Sequence, residues 1–176
     1  MSSELSGRVA IVTGGASGIG KATVEALLRT GAAVAVMDRD EAGTRAVAEQ
    51  GRRAGGRTLA LTIDLTDTRR IHAAVAQVIA ELGRIDILVN CAGVVGKIRT
   101  LLEMDEETWD FVHTVNLKAP MLLMKHVAQH MIERGGGGRI VNVSSSSAFR
   151  PRARAAYASS KAALVHLTHC AAAELG

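Results

Sequence analysis

The segment Val9-Ala-Ile-Val-Thr-Gly-Gly-Ala-Ser-Gly-Ile-Gly20 decides the fold, because it joins an apolar run to a glycine-rich turn and then to a helical pattern. The run over residues 9–12 is too short for a free-standing helix and is rich in β-branched residues, which predicts a buried strand. Over residues 18–29 the apolar side chains recur at helical spacing, and Gly31 supplies a stop just past the end. A strand, a glycine turn and a helix in this order predict a βα unit built around the turn.

The same alternation of apolar runs and helical patterns continues along the chain. Four further runs predict buried strands at residues 32–37, 58–63, 85–89 and 139–143. Helical patterns lie at residues 41–53, at 67–82 with Thr66 or Asp67 as N-cap, from Asp105, from about Asn116 to Arg134, and from near Tyr157 to at least Glu174. Because parallel strands need long crossovers, we predict an α/β fold, a Rossmann-type doubly wound parallel sheet with helices on both faces. Ligands of such a sheet bind at the carboxyl ends of the strands.

Composition and charge narrow the class of protein. The 176 residues are 48% hydrophobic and 22% charged, which predicts one domain over residues 1–176 and excludes a disordered chain. The net charge is +4, but the arginines are scattered and only 2% of residues are aromatic, so we expect no nucleic-acid partner. There is no signal-peptide pattern and no apolar run near the ~18 residues of a membrane span, so we expect a cytoplasmic protein without a membrane partner.

The glycine spacing in the first turn predicts a dinucleotide-binding site. Gly14, Gly18 and Gly20 stand where a positive φ, a close approach of backbone to diphosphate, and tight packing of helix on strand are needed. The free N–H groups and the dipole of the helix start would hold the anion. No Gly-Lys-Ser/Thr follows, which excludes the phosphate loop of nucleoside triphosphatases. The alternative is an ordinary glycine-rich turn.

Asp38, at the end of the second predicted strand, bears on the choice of cofactor. A carboxylate there can accept hydrogen bonds from the adenosine ribose and repels the 2′-phosphate of NADP. Arg39 opposes this preference, because its guanidinium can pair with a 2′-phosphate or stack on the adenine. We expect NAD as the cofactor, with NADP as the less favoured alternative.

Six motifs then occur in a fixed order. They are residues 13–20 (Thr-Gly-Gly-Ala-Ser-Gly-Ile-Gly), Asp64-Leu65, Asn90-Cys-Ala-Gly93, Asn116, the serines after Val143, and Tyr157-Ala-Ser-Ser-Lys161. With these motifs the chain resembles the short-chain dehydrogenase/reductase family over essentially its whole length. The resemblance implies an NAD(P)-dependent oxidoreductase that interconverts a secondary alcohol and a ketone by hydride transfer. It also implies a small-molecule substrate and a homo-oligomer, either a dimer or a tetramer.

The resemblance implies four catalytic residues, Asn116, Ser145, Tyr157 and Lys161. The family's tyrosine is the general acid/base toward the substrate oxygen, and its lysine hydrogen-bonds the nicotinamide ribose. Tyr157 and Lys161 share one face of a helix, where a cation one turn away favours the phenolate form of a tyrosine. The serine hydrogen-bonds the substrate oxygen. The asparagine lies at a helix kink and helps to hold a water that relays protons from the lysine to solvent, although a helix cap is its alternative role.

Two of the four serines at positions 144–147 compete for the serine's role. Position relative to the strand selects Ser145, whereas the family's more frequent spacing to the tyrosine selects Ser144. Consecutive side chains of a strand point to opposite faces, so only one of the two is expected to face the site. We choose Ser145, because the strand is the rigid reference and loops absorb deletions.

The cofactor-binding residues that the resemblance implies come from turns at the carboxyl ends of the strands. Asp64 is expected at the adenine amino group, with helix capping beside Thr66 as the alternative. Asn90 is expected to brace the sheet, and the backbone up to Gly93 to pass the cofactor ribose. The full set is Gly14, Ser17, Gly18, Ile19, Gly20, Asp38, Asp64, Leu65, Asn90, Ala92, Gly93, Tyr157 and Lys161.

The histidines and cysteines predict no second kind of chemistry. His126 with His130, and His166 with His169, have spacings that suit zinc, but no third ligand accompanies them, so we expect no metal. Cys91, beside the cofactor turn, is expected to be a buried structural thiol rather than a reactive one.

The chain departs from the family at its end. Family members continue past this last helix into a substrate-binding loop and two more strands, and the open edge left here leads us to expect a truncated chain. Two alternative functions stay open: a non-catalytic dinucleotide-binding fragment or pseudoenzyme, and an NADPH-dependent 3-oxoacyl thioester reductase. In the second alternative Arg150, Arg152 and Arg154 would receive an acidic carrier; otherwise they attract an anionic substrate or belong to a solvated loop.

Overall fold

Five parallel strands form one sheet in the part of the chain that the structure, a computed structural model, describes: residues 4–150 and 154–176. The strands are β1 (Val9–Thr13), β2 (Ala33–Asp38), β3 (Thr58–Thr62), β4 (Ile87–Asn90) and β5 (Arg139–Asn142). Their order across the sheet is β3-β2-β1-β4-β5, and every neighbouring pair is parallel. The chain therefore adds β2 and β3 on one side of β1, and then crosses the sheet to add β4 and β5 on the other side.

Helices cover both faces of this sheet. They are α1 (Gly18–Arg29), α2 (Glu41–Arg53), α3 (Arg70–Leu82), α4 (Glu106–His113), α5 (Ala119–Arg134) and α6 (Ala155–Leu175). Successive residues of β1 enter different cores, because side chains alternate along a strand. Ile11 belongs to the core that includes α3 and α5, whereas Val12 packs with Val24 of α1 and Val47 of α2. The prediction of an α/β doubly wound sheet with helices on both faces is confirmed.

The third helix begins later than the sequence pattern predicts. It starts at Arg70 rather than at Asp67, and neither Thr66 nor Asp67 is its N-cap. The reason is a competing hydrogen bond, because Oδ1 of Asp64 accepts both the N–H and the hydroxyl of Thr66, at 2.9 and 2.8 Å. A side chain that satisfies nearby backbone donors in this way stabilises a turn instead of a helix.

The fifth helix also begins later than predicted. Residues 114–118, which include Asn116, form a π-helical turn that comes after α4 and runs directly into α5 at Ala119. A single π turn inserted between two α-helical segments is rare and often marks a functional position. The prediction of a helix from Asn116 is therefore wrong in its first turn, and the expected kink takes the form of this π turn.

A buried carboxylate ties the sheet together at the edge opposite to the carboxyl ends of the strands. Asp86 is 3% exposed and accepts hydrogen bonds from Arg84, from Arg8 and from the backbone N–H of Val9, with Arg134 at 3.4 Å. Burial alone raises the pKa of Asp86, but the hydrogen bonds from Arg84, Val9 and Arg8 outweigh it, so the pKa lies below its ordinary value.

Replacing Asp86→Asn tests the stabilising role of this carboxylate. We expect the free energy of unfolding at neutral pH to fall by about 2–3 kcal/mol, the scale of a hydrogen bond to a charged group. Because the pKa is lowered by folding, the contribution is full above the unfolded value of about 4 and is lost as the pH falls through the folded value. Urea unfolding between neutral and acidic pH measures this: the gap between wild type and variant should close on acidification, whereas the exposed control Glu81→Gln should show no gap. A gap that does not depend on pH would contradict the stabilising role.

Candidate active site

A cavity of about 430 Å³ opens at the carboxyl ends of the strands, beside the point where β1 and β4 are neighbours. The turns after these two strands lead the chain in opposite directions, and such a divergence leaves a crevice in doubly wound sheets. The structure brings twelve of the predicted site residues to the wall of this cavity: Gly14, Ser17, Gly18, Ile19, Gly20, Asp38, Asp64, Leu65, Ala92, Gly93, Tyr157 and Lys161. Asn90, Asn116 and Ser145 are not part of the wall.

The turn between β1 and α1 is closed so tightly that side chains do not fit. Gly14 has a φ of +68°, and a Cβ there would lie 2.9 Å from the backbone of Ala92. A Cβ on Gly20 would collide with the carbonyl oxygen of Gly14. Ser17 is the N-cap of α1, but its side chain makes no hydrogen bond to the first turn of the helix. The Ser17 side chain therefore leaves the first N–H groups of α1 open to an anion.

Thr13, whose role was not predicted from the sequence, connects the glycine turn to the opposite wall of the cavity, which the turn after β4 forms. Its hydroxyl oxygen accepts the N–H groups of both Cys91 and Ala92, at 3.0 and 3.1 Å. These hydrogen bonds join the end of β1 to the turn after β4. They therefore fix the distance between the two turns that border the crevice. The signal was present in the sequence, because Thr13 directly follows the first predicted strand, but its partners are far away along the chain.

Asp38 is held rigidly at the end of β2. Its Oδ2 accepts the N–H of Ala16 in the glycine turn at 3.1 Å, and its Oδ1 accepts the N–H of Asp40 at the same distance. Arg39 follows it in the cavity wall. The carboxylate is therefore fixed beside the turn, and its neighbour brings a positive charge to the same wall.

Asp64 serves as a turn cap and is also part of the cavity wall. One carboxylate oxygen holds Thr66, while Asp64 and the 8% exposed Leu65 line the cavity beside the end of β3. The alternative role of Asp64 as a helix cap is therefore wrong, because α3 begins only at Arg70, but the carboxylate has a second oxygen available to a ligand.

Lys161 is a buried cation at the centre of the site. It is 3% exposed, and its Nζ donates to the carbonyl of Val143, just after β5, at 2.8 Å. Burial lowers the pKa of Lys161, and the thiol of Cys91 opposes this only in part. A Cβ on Gly93 would lie 3.3 Å from Nζ, so glycine keeps the space in front of the ammonium open. Tyr157 lies one helical turn earlier on α6 and lines the same cavity.

Asn116 ties the loop after β4 to α6. It is completely buried; its Oδ1 accepts the N–H of Val94, and its Nδ2 donates to the carbonyl of Val94 and to Oγ of Ser160, at 2.8, 2.9 and 3.0 Å. Ser160 in turn donates to the carbonyl of Tyr157 at 2.8 Å. Ser160 is a second residue that the sequence analysis missed, although it stands inside the Tyr157-Ala-Ser-Ser-Lys161 motif, because nothing in that motif reveals a partner on another helix.

The two candidate serines have different surroundings. Ser144 belongs to the cavity wall, and its hydroxyl donates to the carbonyl of Lys161 at 3.0 Å. Ser145 precedes the short 3-10 turn at residues 146–148, and its Oγ accepts the N–H of Ser147 at 3.1 Å. The hydrogen of Ser144 is therefore committed to the protein, whereas that of Ser145 has no acceptor among the residues that the structure describes.

Asn90 lies behind the site rather than in its wall. It is 1% exposed, and its Nδ2 donates to Oδ1 of Asn142 at 2.8 Å. Asn142 donates in turn to the hydroxyl of Thr168 on α6 at 2.9 Å. This chain of amides links β4, β5 and α6, which is a bracing arrangement.

The remaining sequence candidates concern metals, membranes and the arginines. Within residues 4–150 and 154–176, no three His, Cys, Asp or Glu side chains come together as a metal-binding group. In the same part of the chain, no helix combines the length and the apolar character needed to cross a membrane. Arg150 and Arg154 are exposed, and Arg152 lies outside the described residues.

Comparisons with known proteins agree with this geometry. The family model for short chain dehydrogenases matches residues 8–176. The short-chain reductase protein NovJ of Streptomyces niveus is 45% identical over 168 residues, which cover 96% of this chain and 63% of that protein. The crystal structure of an NAD+-bound xylitol dehydrogenase superposes with a TM-score of 0.93 at 31% identity, covering 98% of this chain and 66% of that one. A metagenomic short-chain oxidoreductase in complex with NADP gives the same TM-score at 42% identity, covering 98% of this chain and 78% of that one.

The chain belongs to the short-chain dehydrogenase family, and its fold is the Rossmann fold of that family's solved structures. It spans 63% of the length of NovJ. Its similar structures include one with NAD+ and one with NADP, so they support a nicotinamide dinucleotide without choosing between the two.

Proposed function

We propose that this chain carries the dinucleotide site and the proton-transfer residues of an NAD(P)-dependent oxidoreductase that interconverts a secondary alcohol and a ketone. The observation that carries the proposal is a cavity with an anion-binding glycine turn in one part of its wall and Tyr157 with Lys161 in another. Glycines support a bound dinucleotide in two ways: Gly14 and Gly20 allow the tight turn, because a Cβ at either would meet protein backbone, and Gly93 leaves room in front of the Lys161 ammonium.

The residues present suit the parts of the cofactor in order across the sheet. The open N–H groups at the start of α1 would bind the diphosphate, and Asp38 would bind the hydroxyls of the adenosine ribose. Asp64 and Leu65 would lie against the adenine. Gly93 and Lys161 would contact the ribose on the nicotinamide side. When bound, the cofactor supplies or accepts the hydride, and the protein supplies position and proton transfer.

The proton pathway runs through α6. Tyr157 donates its hydroxyl proton to the carbonyl oxygen during reduction and accepts it back during oxidation. The ammonium of Lys161 stabilises the phenolate that remains, and its lowered pKa eases passage of a proton onward. Asn116 holds the loop and helix that flank the lysine, and through them supports the relay to solvent. Ser145 orients the substrate oxygen with its hydroxyl hydrogen, for which the described residues offer no acceptor.

Replacing Tyr157→Phe tests the acid/base assignment. We expect kcat to fall by about 10²–10⁴-fold, the usual contribution of general acid/base catalysis. The affinity for NADH, measured by fluorescence titration, should stay near the wild-type value because the ring remains in the wall. Full turnover by the phenylalanine variant would remove the proposed acid/base, and joint loss of cofactor affinity and turnover would indicate structural damage instead.

The pair Ser145→Ala and Ser144→Ala separates the two serines. We expect Ser145→Ala to lower kcat by about 10²-fold, as for loss of a hydrogen-bond donor to a reacting oxygen. Ser144→Ala should lower it much less, because that hydroxyl donates to the carbonyl of Lys161 rather than to the cavity. Steady-state kinetics of both variants on one ketone give the comparison, and the reverse ranking would assign the role to Ser144.

We also propose NAD rather than NADP as the cofactor, on account of the fixed carboxylate of Asp38. A 2′-phosphate there would meet a like charge that the Ala16 N–H holds in place, so we expect NADH to bind at least about tenfold more tightly than NADPH. The variant Asp38→Asn keeps the shape of the side chain and removes its charge. It should therefore reduce the preference for NADH, measured as the ratio of the dissociation constants of NADPH and NADH. Equal binding of both cofactors by the wild type would show that Arg39 compensates for the carboxylate.

A homo-oligomer completes the proposal. A groove of about 780 Å³ lies between α6 and the segment that runs from the end of α4 through the π turn into α5. Its apolar lining includes Leu117, Met121, Ala163 and Leu167. Met121 is 36% exposed in the isolated chain. A second copy of the chain would cover these side chains, which supports a dimer or tetramer built on this face.

A further inference from the structure

The segment just before Tyr157 has an uncompensated positive charge. Residues 134–173 contain no Asp or Glu, yet Arg150, Arg152 and Arg154 occur within five positions of one another. Arg150 and Arg154 are exposed, and neither forms an ion pair with any of the residues that the structure describes. Both guanidinium groups are therefore available to a ligand that approaches from solvent.

Chain connectivity keeps both arginines close to the part of the cavity wall that Ser144 and Tyr157 form. The chain leaves the wall at Ser144, passes through the 3-10 turn at residues 146–148, and returns to the wall at Tyr157. The N–H of Arg150 donates to the carbonyl of Ser146 at 3.1 Å, which keeps it close to the turn. Arg154 lies immediately before the first residue of α6. The backbones of Arg150 and Arg154 therefore lie beside the turn after Ser144 and the helix start before Tyr157.

This placement brings no gain to the fold. A cation beside the first turn of a helix opposes the helix dipole, and α6 has no acidic residue in its first turn to offset it. Charges that cost stability in a functional region point to a ligand rather than to folding.

The ligand is not the diphosphate of the cofactor. The glycine turn follows β1, and β5 lies two strands away, beyond β4. At about 4.8 Å per strand, the start of the arginine segment is about 10 Å from the diphosphate position. The arginines therefore lie on the substrate side of the cavity.

We propose that the substrate carries an oxyanion, a carboxylate or a phosphate, which Arg150 and Arg154 bind while its carbonyl group lies at Tyr157. The proposal rests on the proposed oxidoreductase function and names the substrate class for that same site. Guanidinium groups suit this task because they bind both kinds of oxyanion through paired N–H donors.

Two matched substrate pairs test the proposal on the full protein with NADH. The first pair is 3-oxobutanoate and its methyl ester, which differ in a carboxylate. The second is 3-oxobutanoyl-4′-phosphopantetheine and 3-oxobutanoyl-pantetheine, which differ in one phosphate. For at least one pair we expect kcat/KM to favour the anionic member, and that pair identifies the source of the anion. In Arg150→Gln/Arg154→Gln the value for this member should fall by about 10–100-fold, mainly through KM, while that for its neutral partner stays within about twofold.

A charge-matched control separates local contact from overall charge. Arg29→Gln/Arg53→Gln removes two exposed cations at the C-terminal ends of α1 and α2, away from the cavity mouth, and should leave both members of each pair unaffected. Reduction of the neutral members without any preference for the anionic ones would overturn this inference and leave the oxidoreductase function standing. An equal fall of kcat/KM for the anionic and the neutral member of a pair in Arg150→Gln/Arg154→Gln would also overturn this inference. Failure to reduce any member would also overturn this inference, whereas the oxidoreductase function is tested separately by NADH binding and by the Tyr157→Phe variant.

Discussion

The reversal of winding direction beside β1 is the constraint on which the rest of the structure depends. Crossovers between parallel strands are right-handed, so a chain that moves outward from β1 through β2 and β3 places its helices on one face. When it returns to β4 on the other side of β1, the helices pass to the opposite face. The turns after β1 and β4 then diverge, and the crevice between them is the cavity toward which the strand ends lead.

This topology explains how residues far apart in the sequence form one site. Each strand contributes at its carboxyl end: Gly14 after β1, Asp38 at β2, Asp64 after β3, Gly93 after β4 and Ser144 after β5. The spacing between them follows from the sheet, because neighbouring strands lie about 4.8 Å apart. A ligand that spans the crevice therefore meets different chemistry at each step, from backbone N–H groups to carboxylate to ammonium.

The buried ammonium of Lys161 lowers the stability of the fold and at the same time places a cation in the cavity. A buried ammonium without a carboxylate partner is costly, and the described residues offer Lys161 only the carbonyl of Val143 as an acceptor. The hydrogen bonds that join Asn116, Val94 and Ser160 hold the surrounding loop and helix in place, so the cation cannot relax into solvent. Titratable groups with shifted pKa values in a cleft are characteristic of active sites.

Local patterns in the sequence were sufficient to predict the strands, most helices and the glycine turn, because burial and helical periodicity depend on residues that are close together in the chain. The start of α3 was not predictable in this way, since Asp64 outcompetes the helix for Thr66 by a side-chain hydrogen bond. The roles of Thr13 and Ser160 depend on partners in other elements, which no local pattern encodes. The partners of Ser144 and Ser145 were likewise not predictable, because the Ser144 hydroxyl donates to the carbonyl of Lys161 on α6, whereas Oγ of Ser145 accepts the N–H of Ser147 in the 3-10 turn.

A crystal structure of the protein with NAD+ bound is the most direct measurement of the central claim, that one cofactor spans the crevice from the glycine turn to α6. We predict the diphosphate within hydrogen-bonding distance of the N–H groups at the start of α1, and the nicotinamide ribose against Nζ of Lys161 with the hydroxyl of Tyr157 facing the nicotinamide ring. A dinucleotide bound elsewhere, or a Tyr157 hydroxyl turned away from the nicotinamide into solvent, would contradict it.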